Sequence, residues 1–206
     1  MNGFYDRMII RKFGDVFMLR SDKVIYTKNL ELRCFTLDDW DYMMELRSDP
    51  LNSPFAPNDI WKNDKKAKEF FDFATQFYDD NPNSPDWYVY FLSIREKEND
   101  KVIGYCGIGA PEFNRDLVEV FYSLTKDKWN NGYATECAKA MLEFGFDEIG
   151  LDKIIGYIHP DNSASRRVLE KVGLKEVGIL DYIPLDNNFY GNVLFEITRD
   201  EYINNR

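Results

Sequence analysis

A mixed α/β fold is what this chain predicts. Three observations carry the prediction: three consecutive antiparallel-type strands in mid-chain, a strongly periodic helix directly after them, and a further strand, helix and two strands toward the C-terminus. Taken in order, residues 29–35 alternate Leu30, Leu32 and Cys34 with Glu31 and Arg33, as a half-buried strand does. Thr36 with Leu37, Asp38 and Asp39 offers a helix start with acids in its first turn, and Trp40, Met43, Met44 and Arg47 follow at helical spacing. Pro50, Pro54 and Pro57 make 48–64 a loop. Ala67, Phe70, Phe71, Ala74, Phe77 and Tyr78 recur at intervals of three and four, which predicts an amphipathic helix over 65–78.

A loop at 79–86 leads into strands at 87–95 and 101–109, separated by a charged hairpin turn, and a third strand at 116–125. The helix over 132–149 puts Tyr133, Cys137, Ala140 and Phe144 on one face. A strand at 153–159, a short helix at 163–171 and strands at about 174–180 and 189–197 complete the chain. The order is that of a mixed sheet and not of a doubly wound dinucleotide fold. Residues 1–28 read as an N-terminal extension of short strands, and residues 29–206 as one domain.

With 206 residues, 44% hydrophobic and 16% aromatic, the chain has enough apolar surface for a full core, which excludes disorder as its main state. Its net charge of −10 argues against a nucleic-acid partner, since neutralising phosphates takes a surplus of Lys and Arg. No apolar run approaches the roughly 20 residues of a membrane span, so no membrane partner is expected. Cys34, Cys106 and Cys137 are odd in number and far apart, so the sequence suggests neither disulfides nor a zinc site. A soluble cytoplasmic protein with no metal is the expectation.

Residues 119–134, where a strand runs into a glycine-containing turn that opens a helix, carry the first chemical signal. A helix N-terminus leaves backbone N–H groups unpaired and partly positive, so it suits a pyrophosphate even in an acidic protein. Gly132 and small Ala134 permit close approach, although such a fragment is also an ordinary tight turn. The second signal lies some 30 residues on, from His159 through Asn162, Ser165, Arg166 and Arg167 to Gly173 and Leu174.

Together the two segments resemble the GNAT superfamily of acetyl-coenzyme A-dependent N-acetyltransferases. Its Gln/Arg-x-x-Gly-x-Gly/Ala motif is matched by Trp129, Asn130, Asn131, Gly132, Tyr133 and Ala134, with Trp in the first place. That Trp, the following Thr135 and Glu136, and the N-x-x-S-x-R-V-L-E-K-x-G pattern from Asn162 are similar to the ribosomal-protein-alanine acetyltransferase branch. Three departures stand out. Asn130 and Asn131 replace a usual Gly and basic residue, for which Lys126, Lys128, Arg166 and Arg167 are candidate substitutes or plain surface charges. Leu174 replaces Phe. Leu169 stands where many relatives carry the Tyr that protonates the leaving thiolate, which closes that route.

The resemblance implies a GNAT-type fold in which two parallel strands, here 119–125 and 153–159, splay apart around the pantetheine of acetyl-CoA. Residues 129–135 would hold the pyrophosphate, and backbone groups near Leu124 would pair with pantetheine or polarise the acyl carbonyl. Asn162 would bond the pantetheine amides and Ser165 would face the departing thiolate; for both, the alternative is a helix-start side chain bonding to backbone. Glu119 is the candidate general base acting through water, or else a solvent-facing strand residue. His159, at a strand end before Pro160, reads as structural, with no partner in nucleophile spacing. Trp61, Trp87, Tyr88 and Tyr90 are either acceptor-pocket walls or core.

The activity so implied is direct acetyl transfer to a primary amine, either a protein N-terminus or a small cationic amine, in a ternary complex. The alternative is an inactive coenzyme A-binding module of the same fold. Exposed C-terminal strands admit a homodimer.

Overall fold

The computed structural model describes residues 22–55, 60, 65, 68, 69, 71, 72, 75 and 89–206. The strands expected within 8–21, the loop at 79–86, and Trp61, Trp87 and Tyr88 lie outside those residues. One sheet of eight strands organises the rest, in the order β1-β2-β3-β4-β5-β6-β8-β7. The strands are β1 (Val24–Tyr26), β2 (Leu30–Arg33), β3 (Val89–Glu96), β4 (Val102–Gly109), β5 (Glu119–Leu124), β6 (Lys153–Ile158), β7 (Lys175–Ile179) and β8 (Val193–Thr198). Every neighbouring pair is antiparallel except β5 and β6.

Helices cover both faces of the sheet, as its two-sided burial requires. On one face lies α1 (Trp40–Ser48) and, beyond it, the described positions between 65 and 75, which are helical as their periodicity predicts. Met43, Leu46 and Phe71 pack there with Phe35 and Tyr105, and the Phe91 and Phe121 rings meet at 4.6 Å. On the other face α2 (Tyr133–Glu143) buries Cys137, Ala138, Ala140, Met141 and Leu142 over β4 and β5. The helix expected to run to 149 changes at Phe144 into a π-helical turn, Phe144–Ile149. Gly145 sits there with the side chains of Ile108 and Ile154 so close that a Cβ would come within 2.7 Å of each. Tyr90 is fully buried and stacks on Phe144 at 5.2 Å, which makes it core rather than a pocket wall.

α3 (Ser163–Lys171) follows β6, and α4 (Arg199–Asn204) closes the chain. The sequence reading had no helix after the last strand. Thr198 and Glu201 make a reciprocal capping box, in which the Thr198 hydroxyl accepts the Glu201 N–H and the Glu201 carboxylate accepts the Thr198 N–H at 3.0 Å. The last strand also begins four residues later than the pattern suggested, because residues 187–192 are taken up in turns.

A buried ion pair ties the α1 side to the hairpin between β3 and β4. Asp39, only 2% exposed, pairs with Arg95, and it also accepts the Thr36 N–H at 2.9 Å; Arg95 in turn donates to the Asp100 carbonyl at 3.0 Å. Removing Asp39 would leave the buried Arg95 guanidinium with only the exposed Asp100 carboxylate, 3.3 Å away, a larger cost than the net worth of the pair. Asp39→Ala is expected to lower stability by about 3–5 kcal/mol. Urea unfolding followed by far-UV circular dichroism measures this, and a loss below about 1 kcal/mol would mean that water screens the pair.

Candidate active site

Strand β5 is held along one edge by six consecutive register pairs with β4, from Gly104 with Leu124 to Gly109 with Glu119. Along its other edge it meets β6 at a single register, Glu119 with Ile155, where the Ile155 N–H donates to the Val118 carbonyl at 2.8 Å. Past that point the two strands part. Backbone polarity alternates along a strand, so the peptide groups of Tyr122 and Leu124 are aimed, like Val118, at the side from which β6 has withdrawn.

A cavity of about 380 Å³ occupies the opening. Tyr122, Ser123 and Leu124 of β5 form one wall, and Asn162, Ser165, Arg167, Val168 and Lys171 form the wall opposite. Residues 129, 130 and 132–135 lie at one end, and Pro54, Phe55 and Tyr105 bring the cavity out on the α1 side of the sheet. A cavity bordered by unladdered peptide groups of β5, and lined by residues of both the α1 and α3 sides, can hold an extended amide-containing chain and let a second reactant meet its tip.

The turn into α2 is built by its own side chains. Trp129 Nε1 donates to the Leu124 carbonyl at 2.9 Å, and Asn131 Nδ2 reaches back to the carbonyls of Lys128 and Trp129, each at 3.2 Å. Asn130 and Gly132 both take positive φ, 62° and 82°. A Cβ on Gly132 would meet no protein atom within 4 Å, so within the chain it is the left-handed backbone that calls for glycine. Gly132 caps α2 with no side chain, which leaves the N–H groups of Tyr133, Ala134 and Thr135 without intrahelical acceptors at the cavity end.

Most nearby cations are already matched by acids. Lys128 Nζ lies 2.8 Å from both Glu96 oxygens, and the Tyr133 hydroxyl donates to the same carboxylate at 3.2 Å. The hydrogen bond from Lys128 holds the Glu96 carboxyl below its ordinary range, and Glu96 holds the Lys128 ammonium above its own. Arg166 pairs with Glu176 and lies 4.0 Å from Glu170, away from the cavity. Arg167 and Lys171, one turn apart on α3, are the cations of that helix on the cavity wall. Glu136 works as a strut: it accepts from the Asn29 N–H at 2.6 Å and from Asn29 Nδ2 at 2.8 Å. Burial alone would raise its carboxyl, yet the bonds from Thr27 and Asn29 hold it low.

Asn162 Oδ1 accepts the Ser165 N–H at 3.0 Å and so caps α3. That frees the Ser165 hydroxyl from capping duty, and Ser165 faces the cavity. Leu169 is 2% exposed and packs on Gly156, so the side chain at that position points into the core. Glu119 does not line the cavity with Ser165. It sits at the last paired register, where the Tyr157 hydroxyl donates to it at 3.4 Å beside the packed rings of Phe113 and Phe189. His159 is exposed, accepts the Asp161 N–H at Nδ1 and stacks on Phe55 at 5.5 Å.

The sequence reading missed Tyr122. Its hydroxyl donates across the opening to the Ser165 carbonyl at 3.4 Å, and burial holds the phenol well above its ordinary pKa. The alternation of Val120, Tyr122 and Leu124 was the available signal, but nothing in it says where β6 stops pairing.

The model of the acetyltransferase (GNAT) domain matches residues 29–175, which covers the turn, α3 and both parted strands. The chain belongs to the GNAT acetyltransferase family. It is thus an N-acetyltransferase by family. The uncharacterized N-acetyltransferase YnaD of Bacillus subtilis is 30% identical over 179 residues, covering 86% of this chain and 98% of that one. Among solved structures, the ribosomal-protein-S5-alanine acetyltransferase of Vibrio fischeri superposes with a TM-score of 0.67 at 16% identity, over 88% of this acetyltransferase and 99% of that one. The spermidine N-acetyltransferase of Vibrio cholerae, solved with CoA and spermine, gives 0.66 at 14% identity over 85% and 98%. Among the described residues of the acetyltransferase, no cluster of His, Cys, Asp or Glu could hold a metal ion, and no helix is long and apolar enough to cross a membrane.

Replacing Gly132 tests the turn directly, because an L-residue in the left-handed region costs roughly 1–2 kcal/mol. Gly132→Ala is expected to destabilise the acetyltransferase by about that amount, read from its urea midpoint; an unchanged midpoint would show that the turn can relax to negative φ.

Proposed function

We propose that this acetyltransferase moves an acetyl group from acetyl-CoA to a cationic primary amine by direct attack within a ternary complex. The observation that carries the reading is the cavity where β5 and β6 part, with helix N–H groups that have no intrahelical acceptor at one end. Pantetheine fits along the β5 edge as an extra strand, and the pyrophosphate fits the N–H groups after Gly132. Since Lys128 is neutralised by Glu96, the amides of residues 132–135 do most of the phosphate binding, helped by Arg167 and Lys171. Trp129 and Asn131 shape the turn, and Asn162 orients α3 through its cap.

Ser165 is proposed to donate to the departing thiolate. Glu119, on the α1 side, is proposed to take the amine proton through water, with Tyr157 orienting its carboxylate. Much of the acceleration comes from holding both reactants in line across the sheet. The net charge of −10 draws cationic acceptors. A peptide α-amine and a polyamine both meet that description, and proteins of similar fold are named for acceptors of each kind. Cys34, Cys106 and Cys137, all buried and none in a disulfide, support a cytoplasmic setting.

Coenzyme A at a hundred times its dissociation constant should add about 2.7 kcal/mol of stability, seen as a rise in melting temperature. Thiol release from acetyl-CoA should then appear with some member of a panel of peptides and polyamines. Ser165→Ala should slow it about 10- to 100-fold, the loss of one hydrogen bond to a charged group, while the melting shift persists. Binding with no turnover on any amine would return the reading of an inactive coenzyme-binding module, and no stabilisation by millimolar coenzyme A would end both.

A further inference from the structure

The β5–β6 opening has no ladder to set its width, and one side chain of β5 crosses it. Tyr122 lies three residues beyond the last paired register. Its ring packs against the core on the α2 side, behind it Cys106 is its register partner on β4, and its hydroxyl reaches α3. There it donates to the Ser165 carbonyl at 3.4 Å. The Ser165 N–H is already fixed by Asn162 at 3.0 Å. The Ser165 backbone is therefore held at both its polar groups, the N–H by the cap of its own helix and the carbonyl by a phenol from the facing strand.

We infer that Tyr122 is a positioning residue, a clasp across the opening that aims the Ser165 hydroxyl at the thiol end of the coenzyme. This rests on the proposed role of Ser165 and adds to it the group that replaces a tyrosine on α3, where Leu169 is turned into the core. Burial keeps the phenol protonated far beyond neutral pH, so Tyr122 gives up no proton; it holds, and Ser165 donates. Aiming a hydroxyl at a thiolate stabilises the ionised sulfur, so the acidity of bound coenzyme A reports on the clasp without any acceptor amine.

The experiment is a spectrophotometric titration of the bound coenzyme A thiol by its thiolate absorbance, in the full chain and in Tyr122→Phe, Ser165→Ala and the double variant. Arg167, Lys171, the Lys128–Glu96 pair, Tyr133 and buried Cys137 face the same region and are common to all four proteins, so their influence cancels. A free thiol titrates near 8.5. Tyr122→Phe is expected to raise the bound thiol by about one pH unit, to leave coenzyme affinity within about twofold, and to add little once Ser165 is Ala. Melting curves and circular dichroism confirm that the isosteric Phe variant is folded. An unchanged titration in Tyr122→Phe, or shifts that simply add in the double variant, would overturn the clasp while leaving coenzyme binding intact. Failure of the unmodified chain to bind coenzyme A would instead remove the functional reading beneath it.

Discussion

The molecule depends on two parallel strands that touch once and then separate. β5 is committed to β4 along six register pairs and β6 to β8 along another six, so each half of the sheet is satisfied on its outer side. Their common edge is stitched only where Glu119 meets Ile155. An unpaired strand edge inside a protein is costly, because buried peptide groups that lose water need partners. Here the cost is limited: Leu124 gives its carbonyl to the Trp129 indole, Tyr122 bridges to α3, and the remaining groups face a cavity.

On the proposed function, that arrangement explains how a protein with ten more acids than bases would accommodate an anionic nucleotide. Excess negative charge is managed locally, with Glu96 closed against Lys128 and Tyr133, and Glu176 and Glu170 against Arg166. What remains toward the cavity is the positive end of α2 and two cations of α3. Backbone N–H groups are fixed in place by the helix itself, so they hold phosphate without ordering long flexible side chains. The strut from Glu136 to Thr27 and Asn29 anchors the start of that helix to the turn between β1 and β2, far away in sequence.

The two proposed chemical elements sit on opposite faces. Ser165 and Tyr122 belong to the α2 side of the opening, whereas Glu119 and Tyr157 belong to the α1 side at its closed end. This division follows from the two-residue period of β5, in which Glu119 and Phe121 face one way and Val120, Tyr122 and Leu124 the other. In the proposed ternary complex, reactants entering from opposite faces would meet at the level of the sheet without competing for the same wall.

Much of this was legible in the chain. The alternation at 29–35 and the periodicity at 133–144 set the strand and helix that the structure contains, and α3 runs from Ser163 to Lys171 as read. Where local pattern and tertiary demand diverged, packing decided: Phe144–Ile149 opens into a π-helical turn over Ile108 and Ile154, and a capping box turns the end of β8 into α4. Motif spacing brought Gly132 and Ser165 to one cavity on paper, because each stands at the start of a helix whose position the motifs encode. By itself, then, the sequence determined the order of the elements, the two helix starts and the family to which they belong, since those rest on period and short-range chemistry. Only the tertiary structure decided where β5 and β6 part, that Leu169 turns inward, and that Tyr122 meets Ser165. Those are contacts between segments that are 13 to 43 residues apart, and they depend on how two halves of a twisted sheet are packed rather than on any local run of residues.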